Sequence, residues 1–110
     1  MTWGEAFLWT CAIETPVYVL LLRRSFRSWL APLVVSIFLQ LATHPLLWRF
    51  FPRDGDYWTA FFTFETGVVL VEGGLVSLLL WRMRERRPFV RGFATAFLAN
   101  ALSAAIGLLF

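Results

Sequence analysis

Three carboxylates, an imidazole and a carboxamide stand in stretches that are otherwise apolar: Glu14, His44, Glu65, Glu72 and Asn100. Glu65 and Glu72 are seven residues apart. On a helix they share one face, about 10 Å apart along the axis. Cys11, Glu14 and Tyr18 share a face by i+3 and i+4 spacing, and Ser36, Gln40 and His44 form a polar stripe with Thr43 beside it. Asn100 is followed by Ser103 on the same face. Acids held this way can bind a proton, and three carboxylates with one imidazole also make a set that suits a divalent metal such as manganese, iron or zinc. The metal set would be Glu14, His44, Glu65 and Glu72. Thr15, Tyr18, Gln40, Thr43 and Ser103 are the supporting polar groups. The motifs of di-iron bundles, zinc proteases and serine hydrolases are missing, and no reaction is legible.

The elements that must position these groups are long apolar helices. The chain has 110 residues, of which 59% are hydrophobic and 15% charged, less charge than a soluble domain of this size carries. Four apolar stretches, at about 3–22, 29–48, 58–81 and 88–110, are each near the ~20 residues that cross a bilayer. The expected fold is all-α: a polytopic membrane protein with four transmembrane helices in an up-down bundle, residues 1–110 forming one domain. Pro16 and Pro45 free the carbonyls of Ala12 and Leu41 and are expected to kink their helices. Asp54-Gly55 reads as a solvated turn without the ligand spacing of an EF-hand. The single cysteine, Cys11, excludes an intrachain disulfide and a cysteine-pair metal site. No basic stretch precedes the first span, so it is expected to stay in the mature protein.

Charge sets the orientation. The loops around 23–28 and 82–91 hold Arg23, Arg24, Arg27, Arg82, Arg84, Arg86, Arg87 and Arg91, whereas the middle loop holds only Arg49 and Arg53. The positive-inside rule places the two basic loops in the cytoplasm of a bacterium and both termini outside the inner membrane. Trp3, Trp29, Trp48, Trp58 and Trp81 fall near span ends, where interfacial aromatics sit. A basic face interleaved with exposed aromatics is absent, so the expected partner is the lipid bilayer and not nucleic acid. Gly67, Gly73 and Gly74 in the third span, and Gly92, Ala96, Asn100, Ser103 and Gly107 in the fourth, offer close helix–helix approach, the latter as a candidate oligomer interface.

Glu14-Thr15-Pro16, Thr43-His44-Pro45-Leu46-Leu47-Trp48, the Glu65…Glu72 helix and Asn100-x-x-Ser103 together resemble a group of small bacterial four-span integral membrane proteins, to which no established activity is attached. Small multidrug resistance transporters are similar in length and span number and carry a glutamate in the first span, where Glu14 stands. Ala60 and Thr63 stand where that family's aromatics are expected, its Gly-Leu dimer motif is missing from the fourth span, and its loops are weakly biased, so the likeness is architectural.

No arginine or lysine is expected within the spans, so only His44 offers the glutamates a basic partner at their depth. An isolated charge near the bilayer centre costs about 2.5–3.5 kcal/mol on insertion scales. The acids must therefore be protonated, hydrogen-bonded by their polar neighbours, or neutralised by a bound cation, and at least one is expected to be neutral at pH 7. Depth from the outer span ends brings Glu14, His44, Glu65 and Asn100 together, with Glu72 below. The leading expectation is a small inner-membrane protein that binds a cation, proton or divalent metal, in transport, as a homo-oligomer or with a larger membrane protein. The alternative is an accessory subunit whose carboxylates pair with a partner's basic residues. A third reading is a metal-dependent intramembrane enzyme.

Overall fold

A computed structural model describes residues 3–50 and 56–107. The chain is all-α. Four helices follow one another: α1 (Trp3–Phe26), α2 (Leu30–Phe50), α3 (Tyr57–Arg82) and α4 (Pro88–Gly107). The helices are written in the sequence by their ends as much as by their apolar runs. Ser28 caps α2, its Oγ accepting from the backbone N–H of Leu30 at 3.1 Å and Ala31 at 3.3 Å. Asp56 caps α3, accepting from the N–H of Trp58 at 3.1 Å and from the hydroxyl of Thr59 at 2.5 Å. Pro88 starts α4, where its missing N–H is not needed. α1 and α2 run on through Pro16 and Pro45 as single helices.

Short connections at 27–29 and 83–87 turn the chain back on itself, so α1 with α2, and α3 with α4, are antiparallel neighbours. The molecule is 44 Å long and 22 Å across, about one helix length by two helix diameters. α3 packs mainly on α4, α4 also on α1, and α1 on α2, while α2 and α3 barely touch. The bundle is therefore open along the α2–α3 seam.

Polarity runs opposite to that of a water-soluble bundle. Leu8, Leu30, Phe38, Phe62 and Val90 are among many large apolar side chains left exposed, each more than 60% so. Inside, the polar side chains of Glu14, Ser36, Gln40, Thr43, His44, Glu72, Ser77, Thr95 and Asn100 are buried alongside an apolar core of Tyr18, Leu22, Leu39, Val76, Leu80, Ala96 and Ala99. Three helices are long and apolar enough to cross a membrane: Gly4–Phe26, Trp58–Arg82 and Pro88–Gly107, with mean hydropathies of 1.4, 1.6 and 1.4. α2 is apolar as well: its described apolar stretch is Leu30–Leu46, next to which the side chains of Leu47 and Trp48 lie outside the described residues.

Some boundaries move. The basic residues are not confined to loops: Arg23 and Arg24 close α1, Arg49 and Arg82 close α2 and α3, and Arg91 sits in the first turn of α4. The small-residue face of α4 is largely used within the chain. Gly92 lies against Ser77 of α3 so closely that a Cβ would collide with its backbone, and Ala96 and Asn100 are buried. Gly73 lies under the ring of Phe93, whereas Gly67 and Gly74 face open space. The turn at Asp54-Gly55 and the last residues of the fourth stretch, 108–110, lie outside the described residues, as do the side chains of Trp3 and Trp48.

Candidate functional site

Each of the other three helices sends one polar side chain to a single carboxyl group on α3, that of Glu72. α1 contributes Tyr18, whose hydroxyl donates to Glu72 Oε2 at 2.6 Å. α4 contributes Asn100, whose Nδ2 donates to the same oxygen at 3.2 Å and to the carbonyl of Ala96 at 2.9 Å. α2 contributes Thr43, whose Oγ1 lies 3.2 Å from Glu72 Oε1 and 2.9 Å from the carbonyl of Leu39. Glu72 itself has no exposed surface. It stands at the crossing of the bundle because Val76 and Leu80, four and eight residues on along the same face, carry α3 into the core.

Glu14 forms the second centre. Its Oε1 accepts from Gln40 Nε2 of α2 at 2.7 Å, and Ser103 of α4 lies beside it. Glu14 and Glu65 are both close enough to Glu72 for the acids to repel one another. Glu65, one face-repeat before Glu72 on α3, is half-buried and makes no side-chain hydrogen bond among the described residues. His44 lies on the α1 side, its Nε2 3.4 Å from Thr10 Oγ1 and its ring edge-on to Phe7 at 5.7 Å.

A small polar cavity joins these groups. It measures about 30 Å³ and is lined by Thr10, Glu14, Gln40, His44, Glu65 and Asn100, with Thr43 and Val68 completing the wall. That volume suits one or two waters or a small ion. Two larger grooves flank it. One, about 480 Å³, follows the open α2–α3 seam between Leu46, Phe64, Gly67 and Val71, and shares Thr43 and Val68 with the cavity. The other, about 370 Å³, lies between α3 and α4 and shares Glu65 and Asn100 with it.

The residues singled out in the sequence are thus drawn into one zone, with two changes of role. Thr15 turns away from the acids and pairs with Ser36 at 3.0 Å. Glu72, expected at the bottom of the cluster, is the group on which all four helices converge. Glu14, His44, Glu65 and Glu72 line or adjoin the cavity, yet among the described residues no group of three or more His, Cys, Asp or Glu stands close enough to hold a metal ion. Thr10 was not anticipated, although its i−4 spacing from Glu14 places it on the same face. No family model, curated protein or solved structure matches the chain, so the site is read from its own geometry.

Proposed function

We propose that this protein spans a bacterial inner membrane with all four helices and binds a proton at the Glu72–Glu14 cluster as part of cation transport. One observation carries the reading: the only hydrogen of the Thr43 hydroxyl faces two acceptors. The shorter contact, to the Leu39 carbonyl, takes it. Glu72 Oε2 already accepts from Tyr18 and Asn100. The remaining contact, Oε1 to Thr43, is satisfied when Glu72 carries a proton on Oε1 and donates it to the threonine oxygen. A neutral acid also escapes the penalty of charge at this depth.

Transport needs the proton to leave. Glu14 and Glu65 supply the next acceptors, and a water in the small cavity would bridge them. Glu65, half-buried beside the α3–α4 groove, is the outermost of the three. The positive-inside rule would put the loops at 27–29 and 83–87 in the cytoplasm and both termini outside. The protein-donor set around Glu72 favours a proton over a divalent metal, because each acidic oxygen there is already met by the protein.

Proteoliposomes holding a pH-sensitive dye test this. Wild type should acidify the lumen under an imposed gradient, and Glu72→Gln and Glu14→Gln should fall to the level of protein-free vesicles while remaining folded. Unaltered flux in both variants would refute the proton role. A second reading has its own support. Glu65 opens onto the α3–α4 groove beside Phe62 and Phe97, where a basic side chain from a larger membrane protein or a second copy could meet it. Cross-linking from this groove in native membranes tests it: a specific heterologous product favours an accessory subunit.

A further inference from the structure

The strongest unassigned feature lies at the opposite end of the bundle from Glu65. Eight arginines gather there against one carboxylate, Glu85. Two loops distant in sequence are tied together by Arg91, whose guanidinium donates from Nη2 to Ser25 Oγ and from Nη1 to Glu85 Oε2 at 3.4 Å. This clamp uses the one acid and leaves the rest of the charge unspent. Arg24, Arg27, Arg84, Arg86 and Arg87 are exposed and make no side-chain hydrogen bond or ion pair among the described residues.

The backbone adds an independent observation. Arg27, Arg84 and Arg87 have φ of 54°, 58° and 48°, the left-handed conformation that glycine adopts without strain. Three positions in the two connections that glycine would serve better each carry an arginine. Folding does not call for the guanidinium at these positions, so a use for the charge does. Depth names the use. Trp29 and Trp81, both largely exposed, ring the bundle at this end, and Arg23 stacks over Trp29 at 4.5 Å. Aromatics of this kind sit at the membrane–water interface, so the arginines just beyond them lie at the level of the lipid phosphates.

We propose that the two joined loops form a binding site for the phosphate headgroups of anionic phospholipids, with Arg27, Arg84 and Arg87 as its specific ligands. Arginine presents paired N–H groups that match phosphate oxygens, and each one near the surface adds to the attraction of an anionic leaflet. The site goes beyond the buried acids and does not depend on what they do.

Native mass spectrometry of the detergent-purified full chain tests it, with phosphatidylglycerol and phosphatidylcholine of identical acyl chains offered in equal amounts. Wild type should favour phosphatidylglycerol by about tenfold or more. The triple variant Arg27→Gly/Arg84→Gly/Arg87→Gly should lose most of that preference while its melting temperature stays the same or rises, since glycine relieves the backbone. The corresponding triple lysine variant should keep part of the preference. Arg24→Gln/Arg86→Gln, which alters no left-handed position, is the control for folding and should weaken the preference without abolishing it. Retention of the preference by the glycine variant would overturn the proposal. So would complete displacement of the lipid by millimolar inorganic phosphate, which would mark a free-anion site, or by a short DNA duplex, which would mark a nucleic-acid surface.

Discussion

Tyr18, Thr43 and Asn100 make different bonds to Glu72, and their removal should separate in size. Tyr18→Phe keeps the ring in the core and deletes the 2.6 Å bond. It should lower stability in detergent by about 1–3 kcal/mol, the cost of a buried acceptor left without its donor, read as a fall in melting temperature. Asn100→Leu removes a longer bond to the same oxygen and should cost a similar amount or less. Thr43→Ser should be close to neutral, whereas Thr43→Val should resemble the tyrosine change, because it leaves Glu72 Oε1 facing a methyl group. Were all three variants as stable as wild type, the convergence on Glu72 would have no energetic content. At this scale the sequence was informative about residue type and less so about pairing. The seven-residue spacing put Glu65 and Glu72 on one face, and the polar stripe of α2 is buried as its spacing suggests. Which donor meets which acid depends on helix rotation, and rotation is set by packing that spacing cannot express. Thr15, one residue past Glu14, turns instead to Ser36 for that reason.

Two of the glycines define how α3 and α4 meet, and a third provides the control. Gly92→Ala would drive a Cβ into the Ser77 backbone and should cost about 1–3 kcal/mol through overpacking. Gly67→Ala meets nothing within 4 Å and should be neutral or slightly stabilising by thermal melting. The N-terminus of α3 carries a pH signature of its own. Hydrogen bonds from the Thr59 hydroxyl and backbone hold the Asp56 carboxyl below the usual aspartate value. A depressed folded value means the cap is fully present above the ordinary 3.8 and is lost as pH falls from there through the folded value. Amide exchange in the first turn of α3 should accelerate over that acid window in wild type and be fast at neutral pH in Asp56→Ala. Helix existence was legible from the apolar runs, and the loop at 83–87 from its arginines and Pro88. The second element was read as a span over about 29–48, and its described apolar stretch, Leu30–Leu46, falls within that reading. The small face of α4 was read as a candidate oligomer interface; within the chain, Gly92 packs against Ser77 of α3, and Ala96 and Asn100 are buried.

Across the whole molecule, an apolar exterior surrounds a polar, acidic interior that opens sideways along the α2–α3 seam and toward Glu65 at the α3–α4 groove. Exposed leucine and phenylalanine are stable in hydrocarbon, and interior acids are tolerated when hydrogen-bonded or neutral. The protein should therefore fractionate with membranes and resist alkaline extraction. The account turns on whether Glu72 is a neutral acid inside this shell. Infrared spectroscopy of the reconstituted protein at neutral pH measures that directly, through the carbonyl stretch of a protonated carboxyl group and its shift in deuterated water. A hydrogen-bonded carboxylic-acid band that disappears in Glu72→Gln and persists in Glu65→Gln is the predicted result. A wild-type spectrum with no such band, in which Glu72→Gln removes only carboxylate intensity, would mean the acid is ionised and would contradict the proton-binding site.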